Sequence, residues 1–351
     1  MISVVVLTHN RLPFLRDCVE SIRANGYADH EIVVVDNAST DGTAEALAGM
    51  DDVRVVRFDR DRELAACRNA GIDAARGDII AFTDDDCAIE KDWLVRIEAD
   101  LRDHDAVGGV ALPLGDFHPP RWWDDEINWL VGLSVPGHYG PRAGEVYLPA
   151  SLNLAYRAPV LRALGFREGA PGLAGRNMTR EDSDLWLRTR AGGHRTLFDP
   201  SLVVYHRVPP ERLTVSFCVR RAFSDGFSAW HRGETGGGLR RTLAYVLAQP
   251  FTLAARMIRG GGRPRAKEWV WPVRQAGLVW GGIVQGAAAI TAAARDTAKA
   301  VPGVLHALLI ILREAALLAC ARGLLKTRGP RTPPPAVGGA PHSDGGDATT
   351  S

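Results

Sequence analysis

The densest concentration of chemistry in the chain is Asp84-Asp85-Asp86, directly behind the strand-like run Asp78-Ile79-Ile80-Ala81-Phe82-Thr83. An acidic run is ordinarily a solvated surface, but this one falls where a buried strand ends. Three adjacent carboxylates in such a place repel one another, and a bound cation is the natural resolution. Hard oxygen ligands with few other protein donors suit Mg²⁺ or Mn²⁺ carrying a bound diphosphate. A second carboxylate, Asp36, closes the run Glu31-Ile32-Val33-Val34-Val35-Asp36. At a strand end it could accept hydrogen bonds from a nucleobase or a ribose. The residues after it, Asn37 to Thr43, favour turns and helix N-caps, so Asp41 and Gly42 read as structural and Asp36 as the ligand candidate.

Both groups need elements to position them. Ile2–Leu7 is an apolar, β-branched run of the kind buried on both faces of a parallel sheet. Leu12, Leu15, Val19 and Ile22 follow at helical spacing, with Pro13 tolerated in the first turn. Strands are predicted over 31–36, 53–58 and 78–83, with a short helix after Gly42 and a longer one over 63–75. This β-α-β-α rhythm predicts a doubly wound α/β domain with a mainly parallel sheet. Ligands on such sheets bind at the carboxyl ends of the strands, here after Leu7, Val35 and Phe82.

From about Pro113 to Pro149 periodicity fades, and Trp122, Trp123 and Trp129 fall in this stretch. These tryptophans could stack on sugar faces, lodge at a membrane interface, or pack beneath the loop; Trp93 reads as a packing residue. Order resumes with a strand near 146–156, helices near 159–164 and 181–191, a strand over 202–206 and a helix over 211–232. Residues 240–326 read as Ala/Leu-rich helices, and 333–351 as a disordered tail. The expected division is a catalytic domain over 1–230, a basic helical region over 231–330 and the tail over 331–351.

The 351 residues are 46 % hydrophobic and 24 % charged, enough for a sizeable core. The net charge of +1 hides an asymmetry: residues 1–206 sum to −11 and residues 207–331 to +14. The acidic front argues against nucleic acid as a partner, while the basic rear could meet phosphates or anionic lipid. Gln275–Ala294 lacks charge but is rich in Gly and Ala, and Val301–Leu312 is too short to span a bilayer. In-plane association with an anionic membrane surface is weighed against a soluble helical appendage. Five cysteines without metal spacing, and a strand-like start without a signal-peptide pattern, lead to an expected cytoplasmic location, peripheral on the inner face of the membrane.

Four motifs occur in order: Val6-Leu7-Thr8-His9-Asn10-Arg11, Val35-Asp36-Asn37-Ala38-Ser39-Thr40-Asp41-Gly42-Thr43, Ala66-Cys67-Arg68-Asn69-Ala70-Gly71 and Phe82-Thr83-Asp84-Asp85-Asp86. Together they resemble the family 2 glycosyltransferases of GT-A fold. Arg180-Glu181-Asp182-Ser183-Asp184-Leu185 resembles that family's Glu-Asp motif opening a helix, and the segment from Gly193 to His206 resembles its closing strand. The resemblance covers about residues 1–230. It implies a Rossmann-like, mixed but mainly parallel sheet flanked by helices, here with a C-terminal helical extension.

The resemblance also implies site roles. Thr8 and Asn10 would cradle the nucleotide and Asp36 would hold its base or ribose. Arg68 would contact the diphosphate or fix the loop around it, unless it is engaged in a salt bridge to Asp61 or Asp84. Asp84 would touch ribose and metal, Asp86 the metal, and Asp85 either metal or sugar. His206 would complete the metal or diphosphate site, since imidazole binds Mn²⁺, or else is structural. Asp182 is the candidate general base of an inverting transfer, with the alternative that it caps the helix and Glu181 is the base. The implied cofactor is Mn²⁺ or Mg²⁺ and the implied partners are a nucleotide-sugar, a UDP-sugar first, and a saccharide or lipid-linked acceptor.

Rival readings lack their signatures. Nucleotidyltransferases on similar sheets resemble one another in a Gly-rich loop after the first strand, which Thr8–Arg11 is not. Dinucleotide and P-loop fingerprints are absent from the sequence. A polyprenyl-phosphate sugar synthase is the nearer alternative among enzymes, and a non-catalytic carbohydrate-binding protein the alternative outside them.

Overall fold

The structure, a computed structural model, describes residues 1–134, 149–169, 181–231, 270–278 and 280. All of them fall within one compact unit, Met1–Ala288. The expected tail, and most of the expected rear helices, lie outside the described residues, although 270–278 are helical.

The chain opens β1 (Ile2–Thr8), α1 (Leu12–Arg23), β2 (His30–Asp36), α2 (Thr43–Ala48), β3 (Val53–Arg57), α3 (Leu64–Ala74) and β4 (Ile79–Asp84). It continues with β5 (Cys87–Ile89), α4 (Trp93–Asp100), β6 (Ala106–Pro113), β7 (Leu154–Arg157), α5 (Ala158–Leu164), α6 (Glu181–Ala191), β8 (Thr196–His206) and α7 (Val215–His231). One eight-stranded sheet results, in the order β3-β2-β1-β4-β7-β6-β8-β5. The β3-β2-β1-β4 half is parallel throughout, β6 and β8 are parallel to each other, and β7 and β5 run antiparallel to their neighbours.

Alternation of side chains across β1 explains why its sequence is apolar without interruption. Ile2, Val4 and Val6 face a layer containing Leu15, Cys18, Val19 and Ile22 of α1 and Trp93, Leu94 and Ile97 of α4. Val5 and Leu7 face the other layer, with Ala65, Cys67 and Ile72 of α3, Leu161 of α5 and Trp186 of α6. Each such fully buried side chain contributes about 2 kcal/mol by leaving water. Gly71 lets α3 lie against β1: a Cβ there would sit 2.4 Å from Val5 Cγ1. Asp41 Oδ2, from the turn after β2, accepts the Leu12 N–H at the start of α1.

Three differences from the sequence-based expectation have physical causes. β5 and β6 were not predicted: β5 has three residues, and β6 contains Gly108 and Gly109, where Pro149 and the Leu202 carbonyl leave no room for a Cβ. β8 starts at Thr196 rather than 202, because Thr196–Asp199 pair with β6 before an irregularity and the pairing resumes at Val203. The expected strand over 146–156 is β7, beginning at Leu154 after a 3₁₀ turn over Ser151–Asn153; residues 146–148 lie outside the described ones. Trp122, Trp123 and Trp129 pack around Ile127, Leu130, Cys218, Ala222 and Val270, the packing alternative among the three considered. Trp93 is fully buried and donates its Nε1–H to Asn153 Oδ1 at 2.8 Å. Cys18, Cys67, Cys87 and Cys218 are buried free thiols.

At the end of α4, burial and the facing Asp199 carboxylate push Asp100 up to about 6. Raised above its ordinary value, Asp100 costs stability as pH rises from about 4 through 6, and the penalty is fully present above that window. Asp100→Asn is expected to stabilise the fold by about 1 kcal/mol at pH 7.5, a figure reduced for solvent screening, and by nothing at pH 4. Thermal melts of both proteins across that range measure the difference.

Candidate active site

The carboxyl ends of β1 and β4, the start of α6 and the end of β8 converge on a cavity of about 470 Å³. Thr8, Arg68, Asp84, Asp85, Asp86, Glu181, Asp182 and His206 all line it. The two remaining sequence candidates do not. Asn10 sits at φ 54° and is held in the loop facing β2, its Oδ1 accepting the Thr40 N–H at 2.7 Å. Asp36 is fully buried, with Oδ1 accepting the Ser39 N–H at 2.9 Å and Oδ2 3.6 Å from Arg57 Nε. Both therefore shape the β1–β2 strand ends rather than the cavity wall.

The acidic triplet is differentiated by its partners. Asp84 is the more open one, with its side chain 34 % exposed and Oδ1 3.9 Å from Arg68 Nη2. Burial of the carboxylate, reinforced by Asp86 and opposed by Arg68, holds it above the ordinary carboxylate range. Asp85 accepts from Thr8 Oγ1 at 2.8 Å and from Arg11 Nη1 at 3.1 Å. Burial raises it to about 7, although Arg11 pulls the other way. Asp86 Oδ1 lies 3.2 Å from His206 Nε2, and its Oδ2 accepts from Arg11 Nη1 at 2.9 Å and from Arg212 Nη2 at 3.4 Å. Against the cost of burial, the His206 hydrogen bond and the charges of His206, Arg212 and Arg11 bring Asp86 down to about 2.

Across the cavity, α6 presents two adjacent carboxylates in different surroundings. Glu181 is buried and ion-paired with Arg68 Nη1. Arg68, itself buried, also donates to Ser151 Oγ at 2.6 Å. Burial opposes its charge, but Glu181, Asp84 and Asp182 keep the guanidinium firmly protonated. Of the two salt-bridge partners considered for Arg68, Asp84 is near, while Asp61 instead accepts from Asn37 Nδ2. Asp182 is only half-buried; its Oδ2 accepts the Ser151 N–H at 3.1 Å and its Oδ1 accepts the Ser183 N–H at 2.7 Å.

Residues 3–150 match Glycosyl transferase family 2. A glucosyl-dolichyl phosphate glucuronosyltransferase of Haloferax volcanii is 27 % identical over 237 residues, 65 % of this chain and 75 % of that protein. The succinoglycan biosynthesis protein ExoM of Rhizobium meliloti is 24 % identical over 287 residues, 74 % of this chain and 82 % of its own. The solved structure of a mannosyltransferase from Pyrobaculum calidifontis, in complex with GDP-Man and Mn²⁺, superposes with a TM-score of 0.50 at 22 % identity, covering 92 % of this chain and 81 % of that one. Residues 3–150 form a family 2 glycosyltransferase domain.

Its sheet is accordingly the GT-A sheet. The donor set fits a divalent cation. Asp86 and His206 are both buried with ligand atoms clustered, and His206 Nδ1 is a buried ring nitrogen without a hydrogen-bond partner among the described residues. Cys87 falls in the same cluster, but burial pushes its thiol well above the usual range, so it stays protonated. The remaining oxygen and nitrogen donors suit Mn²⁺ or Mg²⁺. Gly132 is needed beside them: at φ 79°, a Cβ there would meet His206 Cε1 at 2.9 Å.

Two cations that line the cavity and face Asp86 were not singled out from sequence. Arg11 and Arg212 lie 75 and 126 residues from Asp86 in the chain. A cation directly behind the first strand was the only available signal for Arg11; Arg212 gave none.

The buried Arg68–Glu181 pair makes a stability test. Arg68→Met is expected to cost about 3–5 kcal/mol, because it strands a buried carboxylate. The double variant Arg68→Met/Glu181→Gln should recover most of that loss. Urea unfolding of the single and double variants measures the coupling.

Proposed function

We propose that this glycosyltransferase performs a metal-dependent, inverting transfer from a nucleoside diphosphate sugar, a UDP-sugar first, to a hydroxyl of a lipid-linked or polysaccharide acceptor. The observation that carries the reading is the division of labour on α6: Glu181 is neutralised by Arg68, while Asp182 faces the same cavity as the acidic triplet and, among the described residues, its oxygens accept from backbone N–H groups. Asp182 is then the base that removes the acceptor proton as the hydroxyl oxygen attacks the anomeric carbon opposite the leaving diphosphate. The two backbone N–H groups on Asp182 hold it in position. Glu181 and Arg68 set the start of α6 and keep its second carboxylate from competing for the proton.

Asp84, Asp86 and His206 would hold Mn²⁺ or Mg²⁺, which when bound supplies Lewis-acid stabilisation of the departing diphosphate. Thr8 and Arg11 fix Asp85, and through it the turn that carries these ligands. The Pyrobaculum enzyme's complex with GDP-Man and Mn²⁺ supports a nucleotide-sugar and metal pairing. The names of the Haloferax and Rhizobium relatives support a lipid-linked or polysaccharide acceptor. No helix of the described residues is long and apolar enough to cross a membrane. The +14 balance of residues 207–331 supports peripheral association with the inner membrane face, beyond a catalytic domain over 1–230.

Asp182→Asn is expected to lower transfer by about 10²–10⁴-fold while the donor-induced thermal shift in Mn²⁺ is retained. An active Asp182→Asn enzyme would remove the assignment. The proton NMR spectrum of the product should show the anomeric configuration opposite to that of the donor. For the membrane, the full chain should float with vesicles containing anionic lipid and release at high salt; equal behaviour with neutral vesicles would refute the association.

A further inference from the structure

We infer that Arg11 is a built-in counter-ion of the cation site, which any incoming metal must displace. The inference rests on the metal-dependent reading above and adds to the anchoring of Asp85 a second role for Arg11. A single guanidinium nitrogen, Arg11 Nη1, bridges Asp85 Oδ1 at 3.1 Å and Asp86 Oδ2 at 2.9 Å. The carboxylates it joins are nearly sealed from water, at 4 % and 5 % exposure, whereas the Arg11 side chain is 39 % exposed. The acids are thus fixed while the cation that pairs them has an open route to solvent.

The remaining contacts make the competition direct. Both oxygens of Asp86 are engaged, Oδ1 by His206 and Oδ2 by Arg11 and, more distantly, Arg212. Both oxygens of Asp85 are engaged as well, one by Thr8 and one by Arg11. A divalent ion held by Asp86 and His206 needs lone pairs that Arg11 now occupies, and its charge repels the guanidinium. The position of Arg11 suits such an exchange. It precedes α1 immediately, its backbone carbonyl accepts the Leu15 N–H, and its side chain hangs from a fixed point at the end of β1. Released from the acids, it would stand at the cavity wall where the donor diphosphate enters, so metal loading would exchange a protein cation for a metal and free a guanidinium for phosphate.

Two consequences distinguish this arrangement from an ordinary surface ion pair. Metal-free protein should depend on Arg11 for stability, because the buried acids are otherwise under-compensated. Metal affinity should rise when Arg11 is removed, because a competitor has gone.

The test is Mn²⁺ titration of wild type and Arg11→Met by calorimetry, with thermal melts in EDTA and in saturating Mn²⁺. Arg11→Met is expected to melt lower in EDTA, to bind Mn²⁺ about tenfold more tightly, and to regain the wild-type melting temperature in saturating Mn²⁺. Arg11→Lys, which keeps the charge without the planar fork, should fall between the two and serves if Arg11→Met does not fold. Mn²⁺ binding to Arg11→Met that equals or falls below wild type overturns the counter-ion role and leaves the metal site standing. Absence of Mn²⁺ binding to every variant overturns the metal reading on which the inference rests.

Discussion

Three consecutive carboxylates at the end of a strand with both faces buried cannot remain ionised without compensating partners, and the site is organised around three guanidinium groups and an imidazole that face them. Arg11 arrives from the end of β1, Arg68 from α3, His206 from the end of β8 and Arg212 from the turn beyond it. Each comes from a different part of the chain, so the compensation exists only once the sheet has assembled. The strain in the arrangement is visible in how differently the acids settle. Asp86, faced by Arg11, Arg212 and the hydrogen-bonding His206, is held to about 2, while Asp85, faced by Arg11, rises to about 7. Carboxylate and guanidinium groups are thus both on hand in one cavity.

The sheet explains why these groups meet. β1 and β4 are adjacent and parallel, so Thr8 and the Asp84–Asp86 turn emerge at the same edge. The antiparallel β7 then joins β4 to β6, and β6 pairs in parallel with β8, which brings His206 back to that edge. β5 locks the acidic turn from beyond: Cys87 pairs with His206, fixing the backbone of a residue next to Asp86 against the histidine that faces it. The close approach of α3 to β1 at Gly71 places Arg68 beneath Asp84, one turn earlier on the same helix.

How much of this could be read from sequence follows from which forces act locally. β1 to β4 were legible because strands buried on both faces are apolar throughout, and Val4-Val5-Val6 or Val33-Val34-Val35 leave little other choice. β6 was not, because Gly108-Gly109 look like loop; their strand character comes from the lack of space beside Pro149 and Leu202. The identities of the acids and of His206 were legible from position after strands. Their partners were not, because an arginine's ion pair depends on contacts across the whole fold. Asp36 shows the same limit in reverse. Its place at a strand end was legible, yet only the structure shows the Ser39 N–H bonded to it and Arg57 beside it.

Glu181 and Asp182 show how secondary structure assigns different roles to like residues. Successive positions on a helix point about 100° apart, so two neighbouring acids at its start cannot face the same surroundings. Glu181 turns toward the buried Arg68, where the dry environment makes the pair strong in geometry and costly to break. Asp182 turns toward the cavity, where backbone N–H groups hold it and water or an acceptor can still reach it. The tether to Ser151 matters here, since Ser151 also receives Arg68. One serine therefore ties the ion-paired carboxylate and the cavity-facing one to a common point. The orientation of Asp182 is in this way inherited from the buried ion pair beside it.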